Sequence, residues 1–129
     1  MTTGECRIVI VGGYGVFGGR LALLLSRNSS LTLVIAGRSI DKARRFIAGL
    51  PLSTARLEAA RLDRDHDPEA ALAALAPDVV VDATGPFQIY GRDPYRLVRA
   101  TLAANASYLD LADSPDLVAG IEQFNEEAV

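Results

Sequence analysis

The chain has 129 residues, enough for one α/β domain and too few for two full cores; half of it is hydrophobic and 22% is charged, which excludes a disordered chain. Its net charge is −3, with the basic residues scattered among acids, which excludes the electrostatic footprint of a nucleic-acid binder. No apolar run is long enough to cross a bilayer, and Met1-Thr2-Thr3-Gly4-Glu5 lacks the character of a signal peptide. A single cysteine, Cys6, leaves no internal disulfide or metal knuckle, so the cytoplasm is the expected compartment.

Cys6 stands just ahead of Ile8-Val9-Ile10-Val11, a short β-branched run closed by glycines, and is expected to be simply buried. The run itself predicts a strand buried on both faces of a parallel sheet. Phe17, Leu21, Leu24 and Leu25 then recur at helical spacing, so a helix follows directly on the glycine turn. Residues 31–36 predict a second buried strand. Ser39 or Asp41 caps the next helix, whose apolar stripe is Ala43, Phe46, Ile47 and Leu50, before Gly49 and Pro51 end it.

A third strand is expected within residues 55–62, where Leu57, Ala59 and Arg61 alternate with small and charged neighbours in a pattern suited to a half-exposed edge. Asp67-Pro68, Asp93-Pro94 and Ser114-Pro115 each set an oxygen-bearing cap before a proline at the first helical position, and so predict three further helices. Strands at 78–83 and 107–111 lie between them. Strand alternates with helix throughout, which predicts a doubly wound parallel sheet, Rossmann-type, in the order 3-2-1-4-5 with helices on both faces. The last helix runs to Val129 without a stop signal. We therefore expect one dinucleotide-binding domain over 1–129, the N-terminal part of a longer enzyme whose substrate domain lies outside this chain.

Gly13-Tyr14-Gly15-Val16-Phe17-Gly18 is a G-x-G-x-x-G run between first strand and first helix, the context in which such a loop holds a pyrophosphate. The first glycine is expected to permit the tight turn, Gly15 to let backbone approach the phosphates, and Gly18 to let the helix pack closely on the strand. A methyltransferase that uses adenosylmethionine would carry an acid at the end of the second strand. Here that strand ends Ala36-Gly37-Arg38-Ser39. An acid at that point would read the ribose hydroxyls of NAD and repel a 2′-phosphate; Arg38 offers that phosphate paired donors, and Ser39 and the helix N-terminus add more, so NADP(H) is favoured over NAD(H). The plainer alternative is a solvated arginine beside Lys42 and Arg44.

Asp63 ends the third strand, either accepting from the adenine amino group or standing as a surface carboxylate among Arg61, Arg64, Asp65 and Asp67. Thr84, Gly85 and Pro86, with Phe87 after them, follow the fourth strand at the reversal of strand order and are expected to flank the nicotinamide half. Tyr14, Phe87 and Tyr90 lie near that crevice, where packing is the commoner role of an aromatic.

Three segments carry a family resemblance: Val9-Ile10-Val11-Gly12-Gly13-Tyr14-Gly15-Val16-Phe17-Gly18, then Ala36-Gly37-Arg38-Ser39, then Thr84-Gly85-Pro86-Phe87-Gln88-Ile89-Tyr90-Gly91 with Tyr108-Leu109-Asp110-Leu111 beyond it. The chain resembles, over almost its whole length, the NADP-binding domain of the saccharopine dehydrogenase family. The resemblance implies a larger enzyme acting on imine-linked amino acids or other small substrates. In it a C-terminal domain binds substrate, closes over the nicotinamide and often makes a homodimer. After Asp110 this chain has Ala112-Asp113-Ser114 where the family commonly has a glycine and a glutamate, so the resemblance assigns no particular substrate.

The only histidine, His66, sits among Arg64, Asp65 and Asp67 in what reads as an exposed loop. No nucleophile triad or zinc set can be assembled from this inventory. The Y-x-x-x-K of short-chain dehydrogenases is not met either, since Tyr95 is followed at that spacing by Arg99. The chain is expected to bind a nicotinamide dinucleotide without turning over alone. A non-catalytic NADP(H) sensor is the alternative from a different class, and a degenerate domain kept as an interaction scaffold is a third.

Overall fold

The computed structural model describes residues 5–51, 53–84 and 95–110. Ile8, Val9, Ile10 and Val11 are buried in β1 (Cys6–Val11), which therefore sits at the centre of the sheet, whereas Cys6 itself is half-buried, because it lies at the strand's outer end. Burial and the nearby Asp78 carboxylate both push its thiol pKa up. After β1 come α1 (Val16–Leu25), β2 (Leu31–Gly37), α2 (Ile40–Gly49), β3 (Arg56–Arg61), α3 (Pro68–Leu75), β4 (Val79–Asp82), α4 (Arg96–Ala103) and β5 (Ser107–Asp110).

The strands pair in parallel in the order β3-β2-β1-β4-β5, the doubly wound arrangement expected from the alternation of elements. Register follows the two-residue period of the pleat. Val9, Val11, Val34, Ala36 and Val80 face one layer with Leu72 of α3 and Leu97 and Ala100 of α4. Ile8, Ile10, Leu33, Ile35 and Val81 face the other, with Ala22 of α1 and Ala43 of α2. β3 is the edge strand, and its residues are exposed or half-buried, as their alternation predicts.

Of the two caps expected for α2 the structure has the first, and in α1 the inward stripe differs from the expected one. Ser39 caps α2 through its side chain, which accepts from the Lys42 amide at 3.2 Å, and Asp41 falls in the first turn instead. In α1 the inward residues are Gly18 and Ala22 with Leu21 and Leu25 beside them, while Phe17 is 66% and Leu24 is 72% exposed. The helix approaches the sheet so closely that glycine and alanine occupy the contact line, which turns Phe17 and Leu24 outward.

Asp67 caps α3, accepting from the Ala70 amide at 3.2 Å, with Pro68 at its start; Ala76 closes it in the left-handed region at φ 49°. The caps expected at Asp93-Pro94 and Ser114-Pro115 lie outside the described residues, and α4 follows Tyr95. On the same sheet face Arg7 ties three elements together. Its Nη1 donates to Glu58 Oε2 at 2.7 Å and its Nε to the Leu75 carbonyl at 2.6 Å, so a cation meets the C-terminal end of α3. No described helix is long and apolar enough to cross a membrane.

Candidate nucleotide site

Parallel strands deliver their C-terminal ends to one edge of the sheet, and the order reverses between β1 and β4, the place where α/β sheets open a crevice. The turn after β1 is made by Gly12, at φ 79°; Gly13 does not take that conformation. This corrects the expectation that the first glycine of the motif supplies the tight turn. Gly13 is instead buried on the sheet, where an added Cβ would come within 2.9 Å of the Ile10 carbonyl oxygen. The Gly15 amide closes the turn by donating to the Gly12 carbonyl at 2.9 Å.

Gly18 lies against that turn, so that a Cβ there would run into the Gly12 carbonyl; this is the close helix-to-strand approach expected of it. Gly15 is the N-cap of α1 and contributes no side-chain acceptor, and the first turn carries no acid. Gly15, Val16 and Phe17 are all exposed. The N-termini of α2 and α3 differ, each having a side-chain cap and an acid, Asp41 and Glu69, in its first turn. Because the first N–H groups of a helix have no intrahelical acceptor, the start of α1 is an open anion cradle with a favourable dipole.

At the end of β2, Arg38 is exposed and makes no hydrogen bond or ion pair among the described residues. Beside it the Leu62 amide donates to the Gly37 carbonyl at 2.8 Å, which brings the end of β3 to the same corner. Asp63 is not a free surface carboxylate: its side chain is 12% exposed, Oδ1 accepts from the Asp65 amide at 2.9 Å, and Oδ2 lies 3.1 Å from Nδ1 of the exposed His66. The Asp65 amide above all, and then His66 and the Arg38 charge, hold its carboxyl below the usual aspartate range.

Thr84 stands at the mouth of the crevice, its Cγ2 3.0 Å from where a Cβ of Gly12 would lie. The motif glycines, Tyr14, Val16, Phe17, Arg38, Ser39, Asp63 and Thr84 thus share one edge of the sheet. Gly85 and Pro86 lie outside the described residues, as do Phe87 and Tyr90.

A buried polar network behind this edge was not anticipated from sequence. Asp82 is fully buried and Arg64 is 11% exposed; Arg64 Nη1 donates to Asp82 Oδ2 at 2.7 Å and to Thr84 Oγ1 at 2.9 Å. Thr84 donates its amide to Asp82 Oδ1 at 3.1 Å, and the Tyr108 hydroxyl donates to Asp82 Oδ2 at 3.2 Å. Burial, with the charges of Asp82 and Asp110, pushes the Tyr108 phenol far above its usual range and keeps it neutral. The available signal was Asp82 itself, an acid that follows three valines at the end of a strand, since a buried charge has to be paired.

Among the described residues no group of histidine, cysteine and acid side chains could hold a metal. The residues present fit a dinucleotide: an uncapped glycine cradle for a pyrophosphate, an exposed arginine at the ribose corner and a carboxylate beside it.

The family described as Saccharopine dehydrogenase NADP binding domain matches residues 8–128. No curated protein matches the chain. Among solved structures, hydroxysteroid dehydrogenase from Escherichia coli is 16% identical with TM-score 0.61, over 81% of this chain and 56% of that one. Actinorhodin polyketide ketoreductase with NADPH is 16% identical with TM-score 0.63, over 85% and 54%. AtPrR2 with NADP+ and (+)pinoresinol is 19% identical with TM-score 0.61, over 97% and 47%. At these identities the likeness is one of fold, and the chain spans about half the length of each.

Proposed function

The chain belongs to the saccharopine dehydrogenase NADP-binding domain family, and we propose that it is the cofactor half of an NADP-dependent oxidoreductase acting on an amino-acid-derived imine or another small carbonyl substrate. The observation that carries this reading is the pairing of the uncapped, acid-free start of α1 with the exposed Arg38 at the neighbouring strand end. The amides of the first turn of α1 hold the pyrophosphate, and Gly15 keeps a side chain out of its way. Arg38 and the Ser39 hydroxyl take the adenosine 2′-phosphate, Asp63 faces the adenine, and Thr84 flanks the nicotinamide ribose. When bound, NADP(H) supplies the hydride donor or acceptor.

The chain's own part is to bind and orient. Asp82 and Arg64 keep Thr84 at a set height above the sheet, and Gly12 fixes the turn against it. A second domain outside this chain binds the substrate and supplies its proton chemistry. Calorimetric titration with NADPH and NADH tests the reading: tighter binding of NADPH without sustained substrate-dependent oxidation is the expected result. Failure to bind either nucleotide, or steady turnover by these 129 residues alone, would overturn it.

A further inference from the structure

The Tyr14 side chain leaves the glycine loop and crosses the end of β2. A Cβ placed on Gly37 would fall on the Tyr14 hydroxyl and within 2.6 Å of its Cζ, so the absence of a side chain at Gly37 is what lets the phenol lie there. Gly37 is an ordinary strand residue whose φ is not positive, and backbone conformation does not require glycine at that position. The close approach of Tyr14 does.

The phenol oxygen accepts the Ser39 amide at 3.2 Å, at the residue that caps α2. That bond uses a lone pair and leaves the hydroxyl proton, for which there is no acceptor among the described residues. A hydroxyl that already accepts an N–H is polarised toward giving its own proton. Next to Ser39 in sequence is the exposed Arg38, which makes no hydrogen bond or ion pair among the described residues. A cation and an uncommitted hydroxyl proton therefore meet at the corner where the adenosine ribose passes.

We propose that the Tyr14 hydroxyl is a specificity determinant, donating its proton to the adenosine 2′-phosphate alongside Arg38; the inference rests on the chain taking NADP(H) as its cofactor. A phosphate oxygen is a charged acceptor and gains more from this donor than the neutral ribose hydroxyl that NAD(H) presents in its place. Tyr14 thereby reads the phosphate, while its ring keeps the glycine loop and the start of α2 in one piece.

The test is calorimetric titration with adenosine 2′,5′-bisphosphate and with 5′-AMP, which differ only by that phosphate and need no nicotinamide or second domain. Tyr14→Phe keeps the ring and removes the hydroxyl; it should weaken the bisphosphate by about fivefold to tenfold and leave 5′-AMP within about twofold. Gly37→Ala, which displaces the phenol, should do the same, with circular dichroism checking that each variant is folded. Equal weakening of both ligands, or no change for either, overturns the proposal. An unaltered chain that binds the two ligands alike overturns the NADP reading beneath it; a preference that Tyr14→Phe leaves intact overturns the proposal alone.

Discussion

Arg64 Nη1 lies 2.7 Å from Asp82 Oδ2, joining the loop after the edge strand β3 to the end of β4, across the two strands β2 and β1 that lie between them. The carboxylate is wholly buried, and the same guanidinium nitrogen holds Thr84. Arg64→Ala would leave a buried charge with only hydroxyl and amide donors around it, and should lower the unfolding free energy by about 3 kcal/mol in urea titrations. A loss below about 0.5 kcal/mol would mean that water replaces the guanidinium and the network has no structural weight.

Gly15 and Gly18 should separate binding from folding. Gly15 is exposed on extended backbone, but it caps α1 and a Cβ there would come within 3.2 Å of the Gly12 carbonyl oxygen, so Gly15→Val should cost only about 1 kcal/mol of stability while abolishing NADPH binding. Gly18→Ala drives a methyl into the Gly12 carbonyl, where backbone has to move, and should cost about 2 kcal/mol of stability as well as the binding. Paired thermal melts and titrations on the two variants check the contrast.

Arg38 is exposed, makes no hydrogen bond or ion pair among the described residues and acts on Asp63 only through its charge, so Arg38→Ala should change stability by less than about 0.5 kcal/mol. It should cut NADPH affinity about tenfold or more and leave NADH affinity as it was, measured by the same titration. Equal loss for both nucleotides would make Arg38 a general anchor and not a reader of the 2′-phosphate.

Much of this edge was legible in sequence, and the misreadings have physical causes. β1 and β2 announce themselves because strands buried on both faces are continuous apolar runs. Gly12 and Gly13 both satisfy a glycine-turn pattern, and composition does not tell which of two neighbouring glycines takes the positive φ. Phe17 and Leu24 have the right period for an inward stripe, but close helix packing selects by size, and Gly18 and Ala22 win. The Arg64 to Asp82 and Tyr108 to Asp82 contacts join residues 18 and 26 apart, which only the crossover topology brings together.

Glu58 has its carboxyl held below the usual glutamate range, chiefly by the hydrogen bond from Arg7. A carboxylate with a lowered pKa contributes stability above its unfolded value and loses it as pH falls through the folded one. Glu58→Gln should therefore destabilise the chain at neutral pH by less than about 1 kcal/mol, since the pair is partly exposed, and the difference should fade as pH drops below the usual glutamate range. Urea midpoints across that range decide it; a difference that persists in acid would assign the effect to packing.

Ala76 closes α3 at φ 49°, a conformation that a Cβ disfavours. Ala76→Gly should raise stability by up to about 1 kcal/mol, the relief of strain exceeding the added freedom of the unfolded chain. A lowered melting temperature would show that the methyl's packing outweighs the strain.

The glycine turn is closed by Gly15 on Gly12 and wedged by Gly18, all within the chain itself. The cradle is thus preorganised, and an arriving pyrophosphate has little backbone to immobilise. Encounter should then be governed by diffusion and by the attraction of Arg38 for the phosphates, with ionic strength as its main control. What distinguishes a good ligand from a poor one, and a variant from the unaltered chain, should appear as residence time.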